Sequence, residues 1–295
     1  VIRLAVRVRH EQAELVLAEL LELAPAGVEE SRLGADTVEY AVYGAPGELP
    51  SLPDLQAAAG DALVEISTSE TADDWQERWK RFHSPILIDA PRPQAGSDQC
   101  PPSLYVRPPW EAPSVSRQAD VEDIVIDPGQ AFGTGAHAST RLCLQLLLEL
   151  ALEQREGPVL DVGTGSGVLA IAAARLGFEP VLGLDHERES IEAARTNAAS
   201  NGVQLELSRF DLRTGALPWM QTPGAGPPVV LANLLRPLLL ELAGAMPRAP
   251  AHLLAGGLLV GQAEEIVSAF GERLGMRERE RRESGEWAAV WLTAQ

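Results

Sequence analysis

The sequence predicts an α/β protein, a doubly wound sheet preceded by a small α+β unit of ferredoxin-like type. Three observations predict it. A glycine-rich turn, Val159-Leu-Asp-Val-Gly-Thr-Gly-Ser-Gly-Val-Leu-Ala170, carries a short apolar strand straight into a helical pattern. From about residue 121 onward, apolar strands alternate with helices, as in a parallel sheet covered on both faces. Residues 1–70 run strand, helix, strand, strand, helix, strand, which places helices on one face of an antiparallel sheet.

Taken in order, Ile2, Leu4, Val6 and Val8 alternate with Arg3, Arg7 and Arg9, a half-buried strand. Ala13, Val16, Leu17, Leu20 and Ala24 follow helical spacing. A strand is expected around 28–33, and Val38, Tyr40 and Val42 alternate again. Leu55 to Ala59 form a short helix, and Ala62, Val64, Ile66 and Thr68 a last strand. Thr71 to Phe82 reads as a connecting helix capped by Thr71 or Asp73, with Trp75, Trp79 and Phe82 on one packing face. Residues 89–118 are proline-rich loops around one strand, Leu104 to Arg107. Strands are then expected at 122–126, 158–162, 180–185, 203–208, 228–233, 256–262 and 286–293, with helices near 138–153, 166–176, 187–201, 234–247 and 263–274. Arg277 to Glu283 is expected to close an antiparallel hairpin with the last strand. The domains expected are 1–70 for substrate recognition, 71–95 as a helical linker and 96–295 for catalysis.

The composition is that of a globular protein, 45% hydrophobic and 22% charged over 295 residues. No apolar run reaches the roughly 18 to 20 residues of a membrane helix, and charges interrupt the first apolar residues, so a cytoplasmic protein with neither signal peptide nor membrane contact is expected. A formal charge of −18 disfavours direct nucleic-acid binding and favours a basic partner, unless it serves solubility alone. Cys100 and Cys143 lack metal-ligand spacing, so no metal is expected.

The site residues fall at strand ends. Gly163, Gly165 and Gly167 permit a tight turn before a helix N-terminus, in a G-x-G-x-G spacing. Dinucleotide enzymes need G-x-G-x-x-G, and Val168 stands where that last glycine would be. Asp185 ends the next strand, 22 residues past Gly163, where a carboxylate accepts both ribose hydroxyls or merely meets solvent. Phe210 and Asp211 close the following strand, at an adenine contact or an ordinary loop start. Asn233 ends the fourth strand and points into the crevice at the carboxyl edge of the sheet. Leu234 and Leu235 follow it, where methyltransferases of flat amide or base nitrogens, which this chain resembles in its glycine turn, carry two prolines and an aromatic residue; that comparison implies an aliphatic acceptor. Upstream, Asp127-Pro-Gly-Gln-Ala-Phe-Gly-Thr-Gly-Ala-His-Ala-Ser-Thr140 reads as a loop with Ser139 and Thr140 as an N-cap pair, and His137 as a structural histidine or a proton acceptor.

The glycine turn resembles the first motif of S-adenosylmethionine-dependent methyltransferases of class I. The wider chain resembles the PrmA family, the methyltransferases of large-subunit ribosomal protein eleven. The resemblance rests on Pro128-Gly-Gln-Ala-Phe-Gly-Thr-Gly-Ala-His137, Asp74-Trp-Gln-Glu-Arg-Trp-Lys-Arg-Phe-His83 and Leu104-Tyr-Val-Arg-Pro-Pro-Trp110. It departs from the family in Ser139-Thr140, usually Thr-Thr, and in a longer, proline-rich segment from Ala90 to Ser103. The resemblance implies a seven-stranded catalytic domain behind a ferredoxin-like one. It also implies S-adenosylmethionine as cofactor, and methylation of lysine side chains and the N-terminal amine of a basic ribosomal protein, free or on the ribosome. The implied cofactor contacts are Thr140, Gly163, Asp185 and Asn233, extended to Phe132 and Thr134 of the signature loop, Gly165 and Gly167 of the turn, and Asp211. Asn233, as a positioning group, and His137 are the catalytic candidates. The alternatives left open are a methyltransferase for another protein, RNA or a small molecule, and a non-catalytic cofactor-binding protein.

Overall fold

The computed structural model describes residues 2–13, 16–17, 20, 28–34, 36–44, 49–50, 52–70, 84–91, 101–113, 121–128, 137–214, 217–218 and 227–294. Contacts divide the chain into two compact units, Val1–Phe82 and His83–Gln295. The connecting helix expected at 71–82 and Cys100 lie outside the described residues, as does much of the helix expected at 13–24.

In the first unit, β1 (Ile2–Arg9), β2 (Glu29–Arg32), β3 (Thr37–Gly44) and β4 (Leu63–Glu70) form an antiparallel sheet in the order β2-β3-β1-β4. Helix α1 (Leu52–Ala59) precedes β4. Alternation sets the faces. Leu4, Val6 and Val8 lie opposite Val42, Tyr40 and Val38, and their side chains pack with Leu55 and Ala59 of α1. The buried Tyr40 hydroxyl donates to Ala13 O at 2.9 Å. On the other face Glu39 is ion-paired with Arg3 and Arg7, and their hydrogen bonds, Arg3's first, hold its carboxyl below the usual range.

The second unit contains two sheets. β5 (Ile86–Ile88), β6 (Ser103–Arg107) and β7 (Val121–Val125) form a three-stranded sheet, β5 antiparallel and β7 parallel to β6. This corrects two expectations. The strand expected at 122–126 does not join the large sheet, and a strand at 86–88 pairs where the linker was expected to continue. An apolar run fixes that a strand is buried, not which neighbour it pairs with.

The large sheet is built from β8 (Val159–Val162), β9 (Val181–Asp185), β10 (Glu206–Arg209), β11 (Val229–Asn233), β12 (His252–Leu259), β13 (Arg277–Ser284) and β14 (Trp287–Thr293). Its order is β10-β9-β8-β11-β12-β14-β13, with β14 antiparallel to both neighbours. The intervening helices are α2 (Ala138–Glu153), α3 (Val168–Arg175), α4 (Arg188–Ser200), α5 (Arg236–Ala245) and α6 (Ala263–Leu274). Leu142, Leu146, Ile171 and Ala198 cover one face with Trp291 and Val229; Leu239, Leu242, Ile266 and Phe270 cover the other with Val230 and Leu253. Ile124 and Leu104 join the first cluster, so the small sheet packs behind α2.

β12 begins at His252, earlier than the expected 256, because its pairing with β11 runs back through Leu253 and Leu254 past the Gly256-Gly257 pair. Residues 260–262 form a 3₁₀ turn instead of a strand end. Among the described residues no helix is long and apolar enough to cross a membrane.

Candidate active site

The strand order reverses between β8 and β11, and open α/β sheets bind ligands at the carboxyl edge beside such a point. The turn after β8 is tied to the neighbouring strand: the N–H groups of Gly163 and Thr164 donate to Leu184 O at 2.8 and 2.9 Å. Gly167 caps α3 with φ +84°, a left-handed conformation, and a Cβ there would lie 3.1 Å from Ala194 Cβ of α4. A Cβ on Gly163 would fall 2.3 Å from Leu234 Cδ2.

Asp185 ends β9 beneath this turn, nearly buried. Gly165 N–H donates to its Oδ2 at 2.9 Å and Glu187 N–H to its Oδ1 at 3.0 Å. Two backbone donors therefore fix the carboxylate, and each oxygen retains a further lone pair for a hydroxyl. Asp161, in β8, is buried as well. Its Oδ2 accepts from Thr164 Oγ1 at 2.7 Å, and its Oδ1 has no partner among the described residues. Burial, with a smaller push from the charge of Asp185, drives this carboxyl up to about 7 against the opposing hydrogen bonds of Thr164 and the Ala170 backbone.

Asn233, at the end of β11, donates from Nδ2 to Thr140 Oγ1 at 3.1 Å, while its buried Oδ1 has no partner among the described residues. Space for that oxygen comes from Gly256: a Cβ there would lie 3.2 Å from Asn233 Oδ1 and 2.4 Å from Cys143 Sγ. Burial pushes the Cys143 thiol up to about 12, which makes it an inert neutral packing group.

His137, not the expected Ser139-Thr140 pair, caps α2, its Nδ1 accepting from Ser139 N–H at 3.3 Å. Both hydroxyl residues lie inside the first turn and are buried, Ser139 Oγ hydrogen-bonded to His137 Nδ1 at 2.8 Å and Thr140 Oγ1 accepting from Asn233. The His137 ring stands edge-on to Trp287, centroids 4.5 Å apart, and burial lowers its pKa. Asp211 sits beside Asp185 in the chain path, since Phe210 N–H donates to Asp185 O at 2.7 Å. Its carboxylate is engaged by Arg213, at 3.0 Å from both backbone N–H and Nε, which holds it below the usual range. Phe132 and Thr134 lie outside the described residues.

The structure thus joins Thr140 to Asn233 and Asp185 to the Gly165 turn, and directs Asp211 to Arg213. Asp161, Gly256 and Trp287 were missed. Asp161 was legible as the one charge in an apolar strand; the other two enter only through pairing between distant strands.

The family model described as ribosomal protein L11 methyltransferase (PrmA) matches residues 53–295. The ribosomal protein L11 methyltransferase of Geobacter sulfurreducens is 37% identical over 246 residues, covering 81% of this chain and 73% of that protein. The protein of the same description from Syntrophotalea carbinolica is 36% identical over 309 residues, covering 94% and 92%. The crystal structure of a ribosomal protein L11 methylase from Lactobacillus delbrueckii subsp. bulgaricus superposes with TM-score 0.54 at 31% identity, covering 65% of this chain and 94% of that one.

Proposed function

Since this chain belongs to the ribosomal protein L11 methyltransferase (PrmA) family, we propose that it transfers methyl groups from S-adenosylmethionine to lysine side chains and the N-terminal amine of that ribosomal protein. The observation that carries this reading is the oriented Asn233 amide, its Oδ1 unpartnered among the described residues at the sheet's carboxyl edge.

The residues fit the donor. Asp185, held by Gly165 and Glu187, offers acceptors to a ribose. Asp161 Oδ1, buried under the glycine turn and unpartnered among the described residues, suits the ammonium of the amino-acid tail. When bound, the donor supplies a sulfonium methyl for in-line displacement. Attack requires a neutral amine, and a free lysine has a pKa of about 10.4. Enclosure beside apolar Leu234 and close to a cation lowers that value by burial and like-charge repulsion. Asn233 Oδ1 accepts an N–H of the amine and aims its lone pair, so catalysis is largely alignment. His137 spends Nδ1 on the helix cap, and burial disfavours its charged form, so we assign it to the wall of the site and not to proton transfer.

Residues 1–70 are assigned to substrate recognition and the second unit, His83–Gln295, to catalysis. The −18 charge suits capture of a basic substrate in the cytoplasm, with no nucleic-acid or membrane contact. The test is incubation with labelled donor and either purified ribosomal protein L11 or total RNA. Label on amines of the protein is the expected result; label confined to RNA refutes the assignment.

A further inference from the structure

Asn197, on the buried face of α4, connects two stretches of chain that lie far apart in sequence. Its Oδ1 accepts from Asp127 N–H at 3.0 Å, where the signature segment begins, and its Nδ2 donates to Ser166 O at 2.9 Å, inside the glycine turn. Asn197 and Ser166 are both buried. One helical turn earlier, Ala194 approaches Gly167 so closely that a Cβ on the glycine would meet it at 3.1 Å, so α4 docks directly on the turn. Holding β7 to α4 does not require Asn197. Asn201 does that by itself, accepting from Val125 N–H at 2.8 Å and donating to Val125 O at 2.6 Å. The bond to Ser166 adds nothing to that anchoring; it ties the glycine turn to Asp127.

We propose that Asn197 is a positioning residue of the donor site, holding the glycine turn through Ser166 O and tying it to Asp127. The inference rests on the donor-binding reading above and concerns affinity for the donor, not the methyl-transfer step. Without the bond to Ser166 the turn must be ordered at the moment of binding, a loss of preorganisation expected to cost roughly tenfold in affinity.

The experiment compares Asn197→Ala and Asn197→Leu with Asn201→Ala, which loosens the same strand without touching the glycine turn. Calorimetric titration with S-adenosylhomocysteine should show affinity falling about tenfold in both Asn197 variants and by less than about twofold in Asn201→Ala. In turnover, KM for the donor should rise with the Asn197 changes, while KM for the protein substrate stays level and kcat falls much less. Equal losses at both asparagines, or undiminished binding in the Asn197 variants, overturns the proposal. A wild-type protein that binds no donor refutes the functional reading instead, so the two failures are distinct. Should the Asn197 variants not fold, hydrogen exchange of the wild type decides: S-adenosylhomocysteine should slow exchange at Asp127 and in the 163–168 turn together, and protection of the turn alone overturns the proposal.

Discussion

Asn233 Nδ2 donates to Thr140 Oγ1 across 3.1 Å, and this bond fixes the orientation of the Asn233 amide. β11 and the first turn of α2 supply the partners, 93 residues apart, so the orientation is a product of the fold. The outcome is an acceptor oxygen, buried beside Gly256 and unpaired among the described residues, which the proposed function assigns to holding the amine.

Asn233→Ala should therefore lower kcat about 100-fold, a loss typical of misplaced reacting groups, with little change in thermal stability. Thr140→Val preserves shape and removes the orienting hydroxyl, and should cost about tenfold in kcat. Steady-state kinetics beside thermal unfolding checks both; wild-type turnover in Asn233→Ala removes that residue from the mechanism.

Gly256→Ala should impair folding and turnover by different contacts. Its Cβ would strike Cys143 Sγ at 2.4 Å and crowd Asn233 Oδ1 at 3.2 Å. Overpacking of this kind costs roughly 1–3 kcal/mol. Adding Cys143→Ala removes the first collision and not the second, so the double variant should regain stability in urea melts while turnover remains low.

The pH dependence should expose Asp161. Burial raises its folded carboxyl to about 7, above the ordinary 3.8, so the folded chain binds the extra proton between those values. The donor-free protein should lose stability from this group as pH rises from about 4 to about 7, and Asp161→Asn should lack that component. Donor affinity should run the other way, strengthening as pH rises through about 7, because only the ionised carboxylate pairs with the ammonium. Calorimetric titrations at pH 6 and 8 test it; equal affinities at the two pH values would contradict the assignment.

Charge steering predicts a salt effect confined to the protein substrate. With the enzyme at −18, kcat/KM for the basic ribosomal protein should fall severalfold between low and physiological salt, while KM for the donor stays nearly level. A salt-independent kcat/KM would leave the acidic surface with solubility alone.

What the sequence revealed was local. The G-x-G-x-G turn, Asp185 and Asn233 each sit at the end of an apolar strand, so one stretch of chain specifies both residue and place. The closing hairpin of β13 and β14 was legible for the same reason. What escaped depended on contacts between distant segments. Nothing in Val121 to Val125 says that it pairs with β6 and not the large sheet, and nothing beside Trp287 says that it meets His137. The cap of α2 was misread because a histidine took the role that Ser139 and Thr140 were chemically suited to, which freed Thr140 for Asn233.

The most direct test of the whole account is calorimetric titration of S-adenosylhomocysteine into the wild-type chain and into Asp185→Ala. One saturable site in the wild type, weakened at least tenfold in the variant, is the predicted result. No heat in folded wild-type protein, or undiminished binding in Asp185→Ala, would contradict it.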